Sequence, residues 1–275
     1  GIITATSKFM IGKANWEGGE YYTGLIDDFT IFDGALSEAQ VKAYYDETLV
    51  AEGDTEPKPL AVYDFENGLG EGVSQVVSGT KGSTPAAYTG EAVFAEGRPA
   101  QDGQAAGKAV KVGGPKNQKD GYGLKLNHTN LGTEYTASMW VRPDENNKLP
   151  ENMAVLFIGK HDPEKWVGVA GTENNNIKLW TRDPSKEAYN GWKVVGTSSL
   201  PSGQWSMLTV TQSGEDISFY KDGALVFAGK ATDAFNGENQ NIYIAANPCD
   251  NMFNGLVDDV YIYDKALSQS QVRYL

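Results

Sequence analysis

Short runs in which apolar and polar residues alternate follow one another through most of the chain. "MAVLFIGK", "KWVGVAG", "NIKLWTR" and "WKVVGT" are examples, and Gly- or Asn-rich turns lie between such runs. Alternation with a period of two over a few residues is typical of a half-buried β-strand. Asp222-Gly223, between two alternating runs, predicts a two-residue hairpin turn. Because long stretches with apolar residues at helical spacing are absent, we predict an all-β fold of antiparallel strands.

One pattern occurs twice. Residues 24–42 read "GLIDDFTIFDGALSEAQVK", and residues 255–273 read "GLVDDVYIYDKALSQSQVR". Each copy predicts a strand followed by a short helix, with Ser at the N-cap, Gln three residues later as a capping box, and flanking apolar residues as a hydrophobic staple. We interpret the repeat as a signature of the fold. The capping and staple residues are Ser37, Gln40, Leu36 and Val41 in the first copy and Ser268, Gln271, Leu267 and Val272 in the second.

The segment "AEGDTEPKP" at residues 51–59 interrupts the alternating pattern and is typical of a linker. Strand patterns resume at "LAVYDFENG" and continue to the end, so we predict one complete domain at residues 60–275. Residues 1–50 match only the closing part of that domain. We expect them to be the C-terminal remnant of a preceding domain of the same type.

The 275 residues carry a formal net charge of -13. An acidic chain repels phosphate backbones and anionic lipid surfaces, so we expect neither nucleic acid nor a membrane as partner. The single Cys249 excludes an intramolecular disulfide, and its neighbours do not indicate a nucleophile or a metal ligand. No apolar run is long enough to span a bilayer.

Six motifs from about Leu60 onward carry a family resemblance. They are "YDFENG", "GKAVKV", "SMWVRP", "QWSMLTVT", "FYKDGALV" and "GLVDDVYIYDKALS". Their order resembles that of laminin-G-like domains of the concanavalin A-like lectin and glucanase superfamily. The resemblance implies a jelly-roll sandwich of two antiparallel sheets, found as a non-catalytic module in secreted bacterial glycoside hydrolases and cell-surface proteins. We therefore expect an extracellular or cell-surface location.

The resemblance also implies a structural calcium ion, for which Glu66 and Asp258 are the candidate ligands. Glu66 ends the first strand and Asp258 lies in the last, and such strands usually lie side by side. Calcium takes hard oxygen ligands such as carboxylates. Asp258 alternates with Leu256 and Val260, so we expect it on their face, where its burial requires a partner. In the alternative interpretation, Asp258 only accepts backbone hydrogen bonds.

No catalytic residues are predicted. Jelly-roll glycanases place paired carboxylates along one strand, as in Glu-x-Asp-x-x-Glu, and no predicted strand has this pattern. The doublets at residues 27–28 and 258–259 should point to opposite faces of their strands. His128 and His161 have no Ser or Cys neighbour in a recognisable nucleophile setting. We expect a domain that is not an enzyme.

Residues 161–192 combine aromatic and polar side chains. Sugar binding needs aromatic faces for the apolar side of the ring and polar groups for the hydroxyls. We therefore predict a carbohydrate-binding module with a polysaccharide or glycan as partner; the alternative is a structural spacer or a protein-interaction or adhesin module. Trp166 and Trp180 also fit core positions, whereas Trp192 follows a turn glycine and is expected to be exposed. The predicted ligand-binding residues are Trp192, Trp180, Trp166, Arg182, His161 and Tyr189.

The N-terminal fragment cannot form a sandwich by itself. Its strand would expose Leu25, Phe29 and Ile31 together with unpaired backbone groups. We expect it to add strands to a sheet edge. A homodimer is the predicted arrangement, because twofold pairing buries both fragments at once.

Overall fold

The chain is described by a computed structural model, which divides it into two compact units, Gly1–Leu49 and Val50–Leu275. No helix in the described part of the chain is long and apolar enough to cross a membrane. The described residues are 10–13, 21–24, 29–31, 41, 57–70, 73–78, 91–99, 106–113, 122–127, 131–145, 149, 151–159, 165–172, 175–182, 193–231, 240–246 and 252–275.

The described part of the larger unit consists of 15 β-strands and one short helix. The helix, α1, spans Gln269–Tyr274. The strands are β1 (Ala61–Tyr63), β2 (Val73–Ser78), β3 (Val93–Glu96), β4 (Lys108–Val112), β5 (Tyr122–Leu126), β6 (Glu134–Pro143), β7 (Ala154–Gly159), β8 (Trp166–Thr172), β9 (Asn176–Arg182), β10 (Lys193–Ser199), β11 (Ser206–Ser213), β12 (Asp216–Lys221), β13 (Ala224–Lys230), β14 (Asn241–Ile244) and β15 (Gly255–Tyr263).

The strands form two antiparallel sheets. The eight-stranded sheet has the order β13-β12-β11-β6-β15-β4-β3, with β1 paired to β15, and the seven-stranded sheet has the order β10-β9-β8-β7-β14-β5-β2. The first and last strands of the unit are therefore neighbours, with Ala61 opposite Ile262. The predicted all-β, antiparallel two-sheet jelly-roll sandwich is confirmed.

The main core lies between the two sheets. In β6, the alternate residues Tyr135, Ala137 and Met139 belong to it, and in β9 Ile177 and Leu179 do. Alternation places the residues between them on the opposite, outer face of each sheet. Each outer face carries a smaller buried cluster: Met207, Tyr220, Tyr263, Leu267 and Val272 on the eight-stranded sheet, and Phe157, Trp166, Ala170, Trp180, Tyr243, Ala246 and Met252 on the seven-stranded sheet.

Two local predictions are confirmed. Asp222 and Gly223 form the two-residue turn between β12 and β13, and both have positive φ, 51° and 74°, as a type I′ turn requires. Ser268 caps α1 and accepts the backbone N–H of Gln271, whose side chain accepts the N–H of Ser268. Leu267 and Val272, the two staple residues, are buried in one cluster. The corresponding capping residues of the first copy lie outside the described residues.

The expected face of Asp258 is wrong, because a β-bulge interrupts β15. The pairing with β6 shifts register between Asp258 and Tyr261, and Asp259 has a φ of 44°. The extra residue changes which side chains face inward: Val257 and Val260 belong to the main core, while Asp258 lies opposite Trp140 of β6. Both carboxylates of the doublet contact Arg98: Asp258 accepts its backbone N–H, and Asp259 accepts a hydrogen bond from its guanidinium.

In the smaller unit, the described residues expose several large apolar side chains. Lys13 and Tyr21 form an antiparallel bridge, and the N–H of Tyr22 donates to the carbonyl of Gly12 at 2.9 Å. Exposed fractions of 44% to 65% are found for Met10, Ile11, Tyr21, Tyr22, Phe29, Ile31 and Val41.

Candidate functional site

Aromatic side chains concentrate on the outer face of the seven-stranded sheet. Trp180 of β9 lies opposite Gly168 of β8, which lies opposite Phe157 of β7, which in turn lies opposite Tyr243 of β14. These cross-strand pairs put the three aromatic side chains in one row on the same face. Trp166 enters from the neighbouring row, and its ring centroid is 4.9 Å from that of Trp180 and 5.7 Å from that of Phe157.

Close packing of Trp180 depends on Gly168. A Cβ atom at Gly168 would lie 2.8 Å from Nε1 of Trp180 and 3.1 Å from the carbonyl oxygen of Leu156. The Trp180 indole therefore lies in space that the side chain of any other residue at position 168 would fill. Trp166 and Trp180 are only 2% and 3% exposed.

Cationic side chains accompany these rings. Nζ of Lys125 lies 5.9 Å from the ring centroid of Tyr243, and Nζ of Lys178 lies 4.6 Å from that of Trp180. Arg182 lies opposite Trp166 across the β8–β9 ladder. Because Lys178, Trp180 and Arg182 alternate along β9, they share the outer face, with cations on either side of the indole.

Lys178 is the least exposed of these cations. It is 8% exposed, and Nζ donates to Oδ1 of Asn152 at 2.5 Å. Within the part of the chain that the structure describes, its polar partners are this neutral amide and the Trp180 ring, with no carboxylate among them. The indole N–H of Trp166 is also buried and has no hydrogen-bond partner among the described residues. Buried cations and buried donors normally have partners.

The structure brings together three of the six predicted ligand-binding residues. Trp166, Trp180 and Arg182 lie on this face, but the two indoles are packed against their neighbours. An open ring face, which stacking of a sugar on these residues requires, is therefore not present at the described residues. His161, Tyr189 and Trp192 lie outside the described residues. Sequence reasoning missed Lys178, which a lone basic residue in an apolar strand pattern would have indicated.

The two candidate calcium ligands converge on a pair of glycines. The N–H of Gly97 donates to the carbonyl of Gly107 at 2.8 Å. The carboxylate of Glu66 fills the position of a Cβ at Gly107, and Oδ2 of Asp258 lies 2.7 Å from the position of a Cβ at Gly97. Glycine at both positions thus makes room for carboxylates at adjacent points of the backbone.

Both carboxylates accept backbone hydrogen bonds at this place. Oε1 of Glu66 accepts the N–H of Lys108 at 2.9 Å. The oxygens of Asp258 accept the N–H of Arg98 at 3.0 Å and the N–H of Asp259 at 2.9 Å. The guanidinium of Arg98 pairs with Asp259 instead, at 3.2 Å. Backbone acceptance by Asp258 was the alternative to calcium binding, and it is present; a carboxylate oxygen that accepts one hydrogen bond still has a lone pair for a cation.

Asp258 is electrostatically unsatisfied. Burial raises the pKa of its carboxyl from 3.8 to about 6, and the negative charges of Asp259 and Glu66 act in the same direction against the two backbone hydrogen bonds. A hard cation would relieve this repulsion, so the donor set fits calcium. Among the described residues, however, no group of three or more His, Cys, Asp or Glu side chains has the arrangement of a metal site. Calcium at Glu66 and Asp258 would therefore need backbone carbonyls or water as further ligands.

A shallow pocket of about 270 Å³ lies on the outer face of the eight-stranded sheet. Leu256 forms part of its lining, flanked across the ladders by Lys111 and Arg142. Lys111 pairs with Asp144, and Arg142 pairs with Glu145 at 3.4 Å. Since its charges neutralise each other, this pocket is a weaker candidate for ligand binding than the outer face of the seven-stranded sheet.

Comparison with solved structures gives domain 4 of AbnA, a GH43 extracellular arabinanase from Geobacillus stearothermophilus, in complex with arabinotriose. It is 24% identical, with a TM-score of 0.60 over 80% of this chain and 98% of that domain. The SAP-like pentraxin from Limulus polyphemus is 15% identical, with a TM-score of 0.45 over 60% of this chain and 80% of that one. The binding domain of botulinum neurotoxin serotype D is 16% identical, with a TM-score of 0.45 over 74% of this chain and 50% of that one.

Comparison with curated protein sequences gives no match. A family profile does match: the Laminin_G_3 profile of the concanavalin A-like lectin/glucanases superfamily aligns with residues 117–273. This range holds most of the strands of both sheets, including β8, β9 and the closing repeat. The chain therefore belongs to the laminin-G-like family of the concanavalin A-like lectin/glucanases superfamily.

Proposed function

We propose that the chain is a non-catalytic carbohydrate-binding module that acts outside the cell, as an accessory domain of a glycoside hydrolase. The observation that carries this proposal is the outer face of the seven-stranded sheet, where Trp166, Trp180 and Tyr243 alternate with Lys125, Lys178 and Arg182. The cationic side chains are the groups that can donate hydrogen bonds to a saccharide here, and the packed rings beside them fix their positions.

Two further observations support a non-catalytic role. The strands of the seven-stranded sheet contain no Asp or Glu, whereas hydrolysis of a glycosidic bond normally uses two carboxyl groups. The carboxylates that do converge, Glu66 and Asp258, are held by backbone hydrogen bonds. That arrangement suits a structural cation better than proton transfer.

Binding is tested by affinity electrophoresis and calorimetry with arabinan, xylan, fructan and mucin glycans. Arabinan comes first, because the AbnA domain is described in complex with arabinotriose. We expect at least one glycan to be retained. Arg182→Met should weaken this retention. Lys221→Met should leave it unchanged, because Lys221 lies on the other sheet and pairs with Asp222 at 3.2 Å. Retention of none would contradict the proposal.

A role in protein interaction is the second candidate, and the internal repeat favours it for the smaller unit. Phe29, Ile31 and Val41 are 56%, 56% and 53% exposed. The residues at the corresponding positions of the second copy, Val260, Ile262 and Val272, are at most 1% exposed. We propose that a second copy of the chain covers this apolar face by strand addition, giving a homodimer.

A further inference from the structure

We propose that the glycan recognised by the outer face of the seven-stranded sheet is acidic, bearing carboxylate or sulfate groups, and that Lys178 binds the anionic group. This rests on the proposed carbohydrate-binding function and specifies the ligand class. The first observation that supports it is the sign of the charges on this sheet. In a chain of net charge -13, the strands of this sheet contain no Asp or Glu, and the cationic side chains described on its outer face are Lys125, Lys178 and Arg182.

The eight-stranded sheet provides the contrast. Its strands contain both signs, including Glu96, Asp216 and Asp258, and several of its lysines have carboxylate partners, such as Lys230 with Asp216 at 2.6 Å. A uniformly acidic surface would repel an anionic ligand everywhere. Because the strands of the seven-stranded sheet contain no carboxylates, this repulsion is weaker along them.

The burial of Lys178 is a second, independent observation. Burying an ammonium group is unfavourable unless an opposite charge or several hydrogen bonds offset the lost hydration. Lys178 is 8% exposed, yet its described polar partners are the neutral Asn152 amide and the indole of Trp180. Those contacts fix the position of Nζ without neutralising it. A ligand carboxylate or sulfate would provide the missing negative charge through a charge-assisted hydrogen bond.

The neighbouring groups are also donors. The indole N–H of Trp166 is buried without a hydrogen-bond partner among the described residues, and its ring contacts that of Trp180. Arg182 lies four residues from Lys178, which places the two cations about 13 Å apart along β9. Ammonium, indole and guanidinium groups donate hydrogen bonds and do not accept them. The face therefore matches an oligosaccharide rich in acceptors, with anionic groups on more than one sugar.

Two matched pairs of polymers test the inference by affinity electrophoresis and calorimetry on the full chain. Polygalacturonate is compared with its methyl-esterified form, and dextran sulfate with dextran, while neutral arabinan reports on glycan binding as such. We expect at least one anionic polymer to bind about tenfold or more tightly than its neutral partner, with an affinity that falls as NaCl is raised. The pair that responds identifies carboxylate or sulfate as the recognised anion.

Variants at Lys178 provide the decisive readout. Lys178→Met should remove the preference for the anionic polymer while leaving the melting temperature unchanged or higher, because it replaces a buried charge by an apolar chain of similar length. Lys178→Arg should retain the preference, and Lys221→Met should not alter it. Equal affinity for charged and neutral partners, or an undiminished preference in Lys178→Met, would overturn the inference. In that case retained arabinan would leave the carbohydrate-binding function standing, whereas loss of all polymers would contradict both.

Discussion

The indole rings of Trp166 and Trp180 meet edge to face, with centroids 4.9 Å apart and planes inclined by 65°. This geometry brings the positive edge of one ring to the negative face of the other. The pair is held by the sheet itself, because Trp180 lies opposite Gly168 and Trp166 lies opposite Gly159. It forms a rigid support beside Lys178, whose ammonium group lies 4.6 Å from the Trp180 ring centroid.

Gly168→Ala should destabilise the domain and distort this support. The added Cβ would lie 2.8 Å from Nε1 of Trp180 and 3.1 Å from a carbonyl oxygen, so the indole or the strand must move. Overpacking of this kind lowers the free energy of unfolding by about 1–3 kcal/mol. Gly132→Ala is the matched control, because its Cβ would approach no heavy atom closer than 3.9 Å. Urea unfolding measures both, and equal midpoints for the two variants would contradict the packing argument.

Asp258 should make stability depend on pH in the absence of metal. Its carboxyl has a pKa of about 6 in the folded state, against 3.8 ordinarily, so between these values the folded state binds the proton more tightly than the unfolded state. Protonated Asp258 makes its full contribution to the free energy of unfolding below about pH 4. This contribution, at most about 3 kcal/mol, is lost as the pH rises through 6. Asp258→Asn removes this contribution.

Urea unfolding in EDTA across pH 4 to 8 measures the effect as a difference. The variant is expected to gain stability relative to the wild type as the pH rises, because the wild type alone must bury a charge. Titrating groups distant from Asp258 are common to both proteins and cancel in the difference. A difference that stays constant across the range would show that Asp258 does not titrate as expected.

Calcium should raise the melting temperature at pH 7. A cation between Glu66 and Asp258 binds only the folded state, and at a hundredfold excess over its dissociation constant it stabilises by about 2.7 kcal/mol. The shift should disappear in Glu66→Gln and persist in Asp216→Asn, whose carboxylate pairs with Lys230 on the surface. Scanning calorimetry with calcium and then with chelator measures the shift. A midpoint that calcium leaves unchanged would contradict a calcium site in this domain.

Much of the fold was predictable, because local patterns specify local structure. Alternation of apolar and polar residues predicted the strands, Asp222-Gly223 predicted the hairpin turn, and Ser268 with Gln271 predicted the helix cap. The assignment of strands to sheets is less accessible, since consecutive strands such as β4 and β5 lie in different sheets. Long-range pairing of that kind leaves no mark on the residues of either strand.

The site was less predictable than the fold, for two physical reasons. The bulge at Asp258 and Asp259 reverses which side chains face the core, and a positive φ is uncommon even for Asp, which adopts it more often than most residues, so position 259 does not stand out in the sequence. Period-two alternation also does not say whether the apolar face of a strand meets the other sheet or lies on the outside. Trp166 and Trp180 alternate with Val167 and Leu179, and only the structure shows which set lies between the sheets.

The apolar face of the smaller unit should make the chain dimeric. Phe29 and Ile31 are each 56% exposed, whereas Val260 and Ile262, at the same positions of the repeat, are buried by neighbouring strands. Covering these side chains gains about 25 cal/mol for each Å² of apolar surface removed from water.

Replacing both Phe29 and Ile31 with Asp would place two charges on the interface and should yield monomers. Tyr274→Asp, an equally drastic change at an exposed residue of α1, should leave the dimer intact. Light scattering over a range of concentrations, on these variants and on a chain that begins at Lys58, measures the mass. An intact chain that runs as a monomer as stable as the shortened one would show that the face needs no second copy.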